Sequence, residues 1–291
     1  MAETNKILLT NIQRGSLHDG QGVRVTYFLQ GCNLRCAWCH NPETFTVRPV
    51  LMKYANKCIA CGACQTVCPQ KDSTEPCINC GKCAEVCFTG ARVMSGKEYT
   101  HQELLEIALR ELKFISPGGG ITCSGGEPLL QLDSLTELLA LFHANQIHTA
   151  VDTAANVPWE HFERVMPYTD LFLVDYKLSD DISHKKYTGV TRERIAGNLK
   201  KLSKCRKEVW IRMPIIPGVN NNPEHIEAAG KELSEIGFTG LIELLPFHRM
   251  GSAKYTALGF NYDFCDTLPP PDALLASFKD RLAAFGLNVK P

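Results

Sequence analysis

The chain has 291 residues, 31 basic and 31 acidic side chains, and a hydrophobic share of 44%, an ordinary globular composition that can bury one large core. Balanced charge excludes a global basic field for nucleic acid or an acidic membrane, and no apolar run approaches the roughly 20 residues of a membrane span. The first residues, Met1 to Lys6, lack the basic, apolar and small-residue order of a secretory signal, so a soluble, cytoplasmic protein is expected.

A strand is predicted first, over 23–29, apolar in the manner of buried parallel strands. Gly31-Cys32-Asn33-Leu34-Arg35-Cys36-Ala37-Trp38-Cys39-His40-Asn41-Pro42 follows it directly, with the spacing C-x3-C-x2-C. A structural zinc site usually takes four protein ligands, and this loop has no fourth cysteine. Three thiolates on a cubane iron–sulfur cluster would leave one iron open to a small molecule. Trp38, just before the third cysteine, fits a partly shielded cluster.

Between 48 and 97 the apolar periodicity disappears, and Cys, Gly, Pro and Lys take over. Cys58-x2-Cys61-x2-Cys64-x3-Cys68-Pro69 matches the bacterial ferredoxin run; Cys77-x2-Cys80-x2-Cys83-x3-Cys87 repeats it with Phe88 in place of proline. So few large apolar side chains cannot build a core, and clusters or metals are expected to hold this segment together. Zinc usually pairs two C-x2-C knuckles across a long spacer, which suits successive steps of three poorly. Two such runs imply two four-iron clusters with crossed ligation: Cys58, Cys61, Cys64 and Cys87 on one, Cys77, Cys80, Cys83 and Cys68 on the other. Matching glycines, Gly62 and Gly81, are expected to let backbone approach the sulfides. A reducing compartment keeps such thiols free for metal.

Beyond the insert, helices over 101–113, 132–145, 159–166, 192–204, 223–236 and 271–284 alternate with strands over 121–124, 149–153, 171–175, 209–214 and 241–246. Thr100 and Glu103 form a capping box, and Asn222 is an N-cap. Repeated βα units imply a parallel sheet, open or curled into a full or partial barrel. Polar residues recur where these strands end: Ser124-Gly125-Gly126-Glu127-Pro128, Asp152-Thr153, Asp175-Tyr176-Lys177, Arg212 and His248. C-terminal strand ends are where barrels carry their sites. The paired glycines are expected to let backbone pack on a ligand, with the Glu127 carboxylate accepting from an amine. Cys123 is expected to be a buried core thiol.

The three-cysteine loop resembles that of the radical S-adenosylmethionine (SAM) superfamily, in which SAM chelates the open iron. With Ile12-Gln13-Arg14, His18-Asp19-Gly20-Gln21-Gly22-Val23-Arg24, Ser124-Gly125-Gly126-Glu127-Pro128, Asp175-Tyr176-Lys177, Ile215-Ile216-Pro217-Gly218 and Pro246-Phe247-His248, nearly the whole chain resembles the glycyl radical enzyme activating enzymes. Gln21 departs from a common proline, and Phe88 breaks the second ferredoxin run. The resemblance implies an α/β fold, a partial (β/α)6 TIM-like radical SAM barrel (1–47 and 98–291) with an inserted bacterial ferredoxin-like domain (48–97). It implies three 4Fe-4S clusters, one on Cys32, Cys36 and Cys39 and two in the insert. SAM would be bound among Trp38, His40, Gly125, Gly126, Glu127, Asp152, Thr153, Asp175, Tyr176, Lys177, Arg212 and His248. A monovalent cation on Asp152, Thr153 and Asp175 is implied as in the pyruvate formate-lyase activase, which lacks the insert.

The implied reaction is reductive cleavage of SAM, with an electron from flavodoxin or ferredoxin relayed through the insert. The resulting 5′-deoxyadenosyl radical takes a hydrogen atom from a backbone glycine of a partner enzyme. Two rivals stand beside it: a radical SAM enzyme acting on a small molecule, and a non-catalytic iron–sulfur electron carrier. The carrier needs neither the three-cysteine loop nor Glu127.

Overall fold

The computed structural model describes residues 5–70, 75–111 and 118–291. Strand β1 (Lys6–Ser16) turns back into β2 (Arg24–Leu29). The cysteine-rich segment contains β3 (Val50–Lys53), α1 (Ala63–Thr66), α2 (Lys82–Glu85) and β4 (Arg92–Ser95), and β5 (Lys97–Thr100) follows it. Then come α3 (His101–Glu111), β6 (Gly120–Gly125), α4 (Leu132–Ala144), β7 (Thr149–Thr153), α5 (Trp159–Val165), β8 (Leu171–Asp175), α6 (Asp181–Thr188) and α7 (Glu193–Leu202). The last elements are β9 (Glu208–Ile215), α8 (Pro223–Glu235), β10 (Leu241–Pro246), α9 (Ser252–Leu258), α10 (Asp272–Ala284) and β11 (Asn288–Val289).

One sheet carries nine strands in the order β11-β10-β9-β8-β7-β6-β2-β1-β5. From β2 through β6, β7, β8, β9 and β10 every pairing is parallel, giving six βα units in series. The sheet stays open, with β5 and β11 as its edges. This is the expected α/β architecture with a partial barrel.

Side-chain alternation divides the parallel strands into two faces. Val25, Tyr27, Leu29, Ile121, Cys123, Val151, Phe172, Val174, Ile211, Met213 and Ile242 belong to the large core shared with the helices. Cys123 lies within it, fully buried. The opposite face, inside the barrel, carries a small apolar plug of Ala150, Leu171, Leu173 and Trp210, together with a column of polar residues. Helix starts follow the local chemistry: Thr100 N–H donates to Glu103 Oε2 at 2.7 Å, and Asn222 Oδ1 accepts from His225 N–H at 2.9 Å.

Three features depart from the sequence expectation. The strand predicted first is the second, because β1 precedes it as an antiparallel neighbour with polar residues along much of its length. Short α6 and α9 and the two-residue β11 were not expected. Helix 101–113 runs from His101 to Glu111; its last two predicted residues lie outside the described residues, as do 71–74 of the insert and Met1 to Thr4 of the start.

Candidate active site

The loop after β2 is assembled by apolar packing. Leu34, Cys36 and Trp38 form a second core with Ala154, Leu178, Ile216 and Phe247, which follow β7, β8, β9 and β10, and with Tyr255, Tyr262 and Phe264 from the C-terminal region. Trp38 meets the Phe264 ring edge-on at 6.5 Å and Tyr187 at 6.3 Å. Backbone bonds from Arg35 N–H to Thr188 O and from Ala37 N–H to Tyr187 O fasten the loop to the end of α6. Cys36 is buried, and Cys32 and Cys39 are half-buried. Burial pushes the Cys32 thiol up to about 12, and the thiols of Cys36 and Cys39 also rise through burial. Left to themselves these thiols stay protonated; metal binding would release their protons. Backbone N–H groups of Leu34 and Asn41 donate to the sulfurs of Cys32 and Cys39 at 3.4 and 3.3 Å.

A polar column rises inside the barrel toward this loop. Asp175 and Arg212 are register neighbours on β8 and β9, and Glu243 on β10 neighbours Arg212 in turn. Arg212 Nη1 donates to Asp152 Oδ2 at 2.9 Å, the oxygen that also accepts from Ser124 Oγ at 2.6 Å. Asp19 Oδ1 lies 3.5 Å from the same guanidinium nitrogen, while its Oδ2 accepts from Ser16 and Thr26 hydroxyls. Burial pushes the Asp152 carboxyl up, opposed by Arg212. Lys177 Nζ donates to Asp175 Oδ2 at 2.8 Å. Burial alone would lower the Lys177 ammonium, but Asp175 holds it above its ordinary value.

His40 and His248 stack with ring centroids 4.0 Å apart. Burial first, then the neighbouring His248, lower the His40 imidazole to about 4, so this ring is neutral at pH 7. Two buried polar atoms in the column have no partner among the described residues: Asp152 Oδ1 and Arg212 Nε. Such orphans ask for a ligand carrying both a donor and an acceptor.

Thr153, Tyr176, Glu127 and the paired glycines, all expected beside the ligand, have other neighbours in this structure. Thr153 and Tyr176 follow Asp152 and Asp175 by one residue and so occupy the helix-facing side. The Thr153 hydroxyl donates to both Glu127 oxygens at 2.8 and 2.9 Å, and Tyr176 Oη donates to Glu232 Oε2 at 2.6 Å. Of the three residues expected around a cation, Asp152 and Asp175 share the inner face, and the Thr153 side chain lies on the other. Glu127 is fully buried and also accepts from Leu129 and Ala154 N–H groups, leaving its carboxylate a strut between two strand ends. Burial pushes its carboxyl up to about 7 despite those donors. The glycines before it answer to backbone: a Cβ on Gly126 would stand 2.0 Å from Gly31 O, and one on Gly125 would stand 2.4 Å from Leu29 N.

Sequence reasoning missed Asp19, Ser124 and Glu243 as members of the column. Asp19 and Ser124 both stood in quoted motifs without being assigned a ligand role; alternation along each strand was the signal that would have selected Ser124 and Glu243.

In the insert the two cysteine runs have matching backbones. Gly62 and Gly81 take left-handed φ of 76° and 80°, Ala60 and Asn79 take 55° and 52°, and each glycine opens a one-turn helix, α1 or α2. The left-handed turn accounts for these glycines. A hollow of about 500 Å³ is lined by Cys64, Cys68, Cys77, Cys80, Cys83 and Arg92, among others. Cys58, Cys61, Cys77 and Cys80 are exposed. Among the described residues no three His, Cys, Asp or Glu side chains are grouped to hold a single metal ion, and no helix is long and apolar enough to cross a membrane.

Comparison with known proteins adds an independent view. Residues 26–229 match the model of the radical SAM superfamily. The chain is 34% identical to the indoleacetate decarboxylase activating enzyme of Tractidigestivibacter scatoligenes, covering 97% of this chain and 96% of that one. It is 38% identical to the (2S)-3-sulfopropanediol dehydratase activating enzyme of Klebsiella oxytoca (88% and 86% covered), and 36% identical to the trans-4-hydroxy-L-proline dehydratase activating enzyme of Clostridioides difficile (97% and 98% covered). A solved domain of a pyruvate-formate lyase-activating enzyme from Bacteroides vulgatus superposes with a TM-score of 0.51 at 28% identity, covering 60% of this chain and 98% of that one.

Proposed function

The chain belongs to the radical SAM superfamily and, within it, to the enzymes that activate glycyl radical enzymes, and on that premise we propose how its residues divide the work. Cys32, Cys36 and Cys39 would hold a 4Fe-4S cluster by three thiolates, and the polar column would offer its unpaired groups to SAM. Once bound and given one electron, the pair would supply the radical chemistry for removing a hydrogen atom from a backbone glycine of the partner, with methionine and 5′-deoxyadenosine as the products.

The observation that carries this reading is the pair of orphaned, buried atoms beneath the three-cysteine loop. Asp152 Oδ1 can accept from an ammonium or hydroxyl, and Arg212 Nε can donate to an oxygen of the same ligand. Lys177, aimed by Asp175 beside the cysteines, supplies a cation for a carboxylate. The neutral His40–His248 stack offers a flat, uncharged wall. Leu34, Trp38 and Phe247 keep water from the loop.

The insert carries two further clusters in this reading, and relays electrons from a flavodoxin or ferredoxin. Its support is the repeated backbone and the cysteine-lined hollow, whose lining includes all four of Cys68, Cys77, Cys80 and Cys83. A cubane assigns one iron to each thiolate, which suits cysteines not gathered around a single ion. The partner is a glycyl radical decarboxylase, dehydratase or related lyase, the classes named for the relatives.

The test is anaerobic co-expression with a glycyl radical enzyme encoded beside this chain. A glycyl radical in that partner, with 5′-deoxyadenosine formed in step, is expected. A modified small molecule and no protein radical would move the chain to the small-molecule reading, and no 5′-deoxyadenosine at all would leave an electron carrier.

A further inference from the structure

Asn41, whose backbone N–H meets the sulfur of Cys39 at 3.3 Å, is itself held from outside the loop. Lys254 Nζ on α9 donates to Asn41 Oδ1 at 2.8 Å and to Glu43 Oε1 at 2.5 Å. Glu43 is 5% exposed, its other oxygen has no partner, and its backbone carbonyl accepts from Gln30 Nε2 at 2.7 Å. An ion pair so placed stabilises little, because desolvation offsets most of the attraction; what it supplies is position.

The same helix touches both neighbours. Helix α9 packs on β3, the first strand of the cysteine-rich segment, and on the turn that contains Glu43. Just before α9, Gly251 lies so close to the loop that a Cβ there would come within 3.2 Å of Cys39 O and His40 Cα. A continuous path therefore runs from β3 through α9 and Lys254 to Asn41 and the third cysteine.

We infer that Lys254, fixed by Glu43, is a positioning residue that sets the Asn41 amide against Cys39, so that the seating of β3 governs how firmly the third thiolate grips its metal. The inference rests on the reading of Cys39 as a cluster ligand. Groups that orient metal ligands commonly change metal affinity by 10–100-fold when lost.

The test pairs Glu43→Gln with Lys254→Met, which removes both charges without stranding one in the interior. In the cluster-free chain, amide exchange over residues 39–44 is expected to run faster than in the parent. In the loaded chain, iron release to a chelator is followed through the paramagnetic signals of the SAM-responsive cluster and of the insert separately. Release from the SAM-responsive cluster is expected to quicken about 10-fold while the insert keeps the parent rate. Parent-like rates at both places, or an equal acceleration at both, overturn the inference. Should the parent chain take up no iron on Cys32, Cys36 and Cys39, the proposed function fails instead, and exchange in the cluster-free chain decides whether Lys254 positions Asn41.

Discussion

The loop of Cys32, Cys36 and Cys39 and the segment from Cys58 to Cys87 are both crowded with cysteine, yet they are built in opposite ways. Residues following four parallel strands converge on the loop, and Leu34 and Trp38 are 1% and 5% exposed. In the insert, Ile59, Ile78 and Phe88 stand 61%, 57% and 78% exposed beside cysteines that are themselves largely open. The loop is shaped by the hydrophobic effect before any metal arrives. Such packing is scarce in the insert, so the clusters proposed there would supply much of its order.

That contrast can be broken most severely at Cys36. Cys36→Ala should abolish 5′-deoxyadenosine formation after chemical reduction while insert iron persists; retained cleavage would refute the ligand assignment. Stripping all iron from the parent should expose the insert to protease first and leave the loop uncut, and early cleavage between Cys32 and Cys39 would reverse the comparison. Packing gives the next largest difference: Trp38→Ala should cost about 3–5 kcal/mol in denaturant unfolding, as deletions of large buried aromatics do. Phe88→Ala should stay within about 0.5 kcal/mol, the range of exposed positions.

Acid should act on the barrel as well. His225 is buried, and that burial lowers its imidazole to about 4. The unfolded chain therefore binds its proton first, so the stability His225 contributes is whole above about pH 6.5 and is lost as pH falls toward 4. The size is roughly 3 kcal/mol, measurable as flattened acid destabilisation in His225→Gln. Smaller than the His225 effect is that of Asp19→Asn, which loosens Arg212 without touching the cysteines. A rise of about fivefold in the KM for SAM, on the order of 1 kcal/mol, is expected at unchanged iron content.

Much of the fold was legible because buried parallel strands are apolar from end to end. Strands β7, β8 and β10 fall on their predicted bounds, whereas β1 hid because an antiparallel strand mixes polar and apolar residues. The site was legible by position along each strand but not by face. Asp152 and Asp175 look into the barrel, while Thr153 and Tyr176, one residue on, serve the helix side. Glu127 shows another limit. Its motif marked an important carboxylate, but only the packed structure shows that Thr153, Leu129 and Ala154 already use it. Lys254 and Glu43 are more than two hundred residues apart, and nothing local in the sequence links them.

The proposed chemistry requires that one iron of the loop cluster lack a protein thiolate. Mössbauer spectroscopy of anaerobically prepared, iron-57-enriched protein, recorded before and after addition of SAM, addresses it directly. One iron site of the cluster on Cys32, Cys36 and Cys39 should change its isomer shift when SAM is added, and that change should vanish in Cys36→Ala. Zinc in the loop, or a spectrum indifferent to SAM, would contradict it.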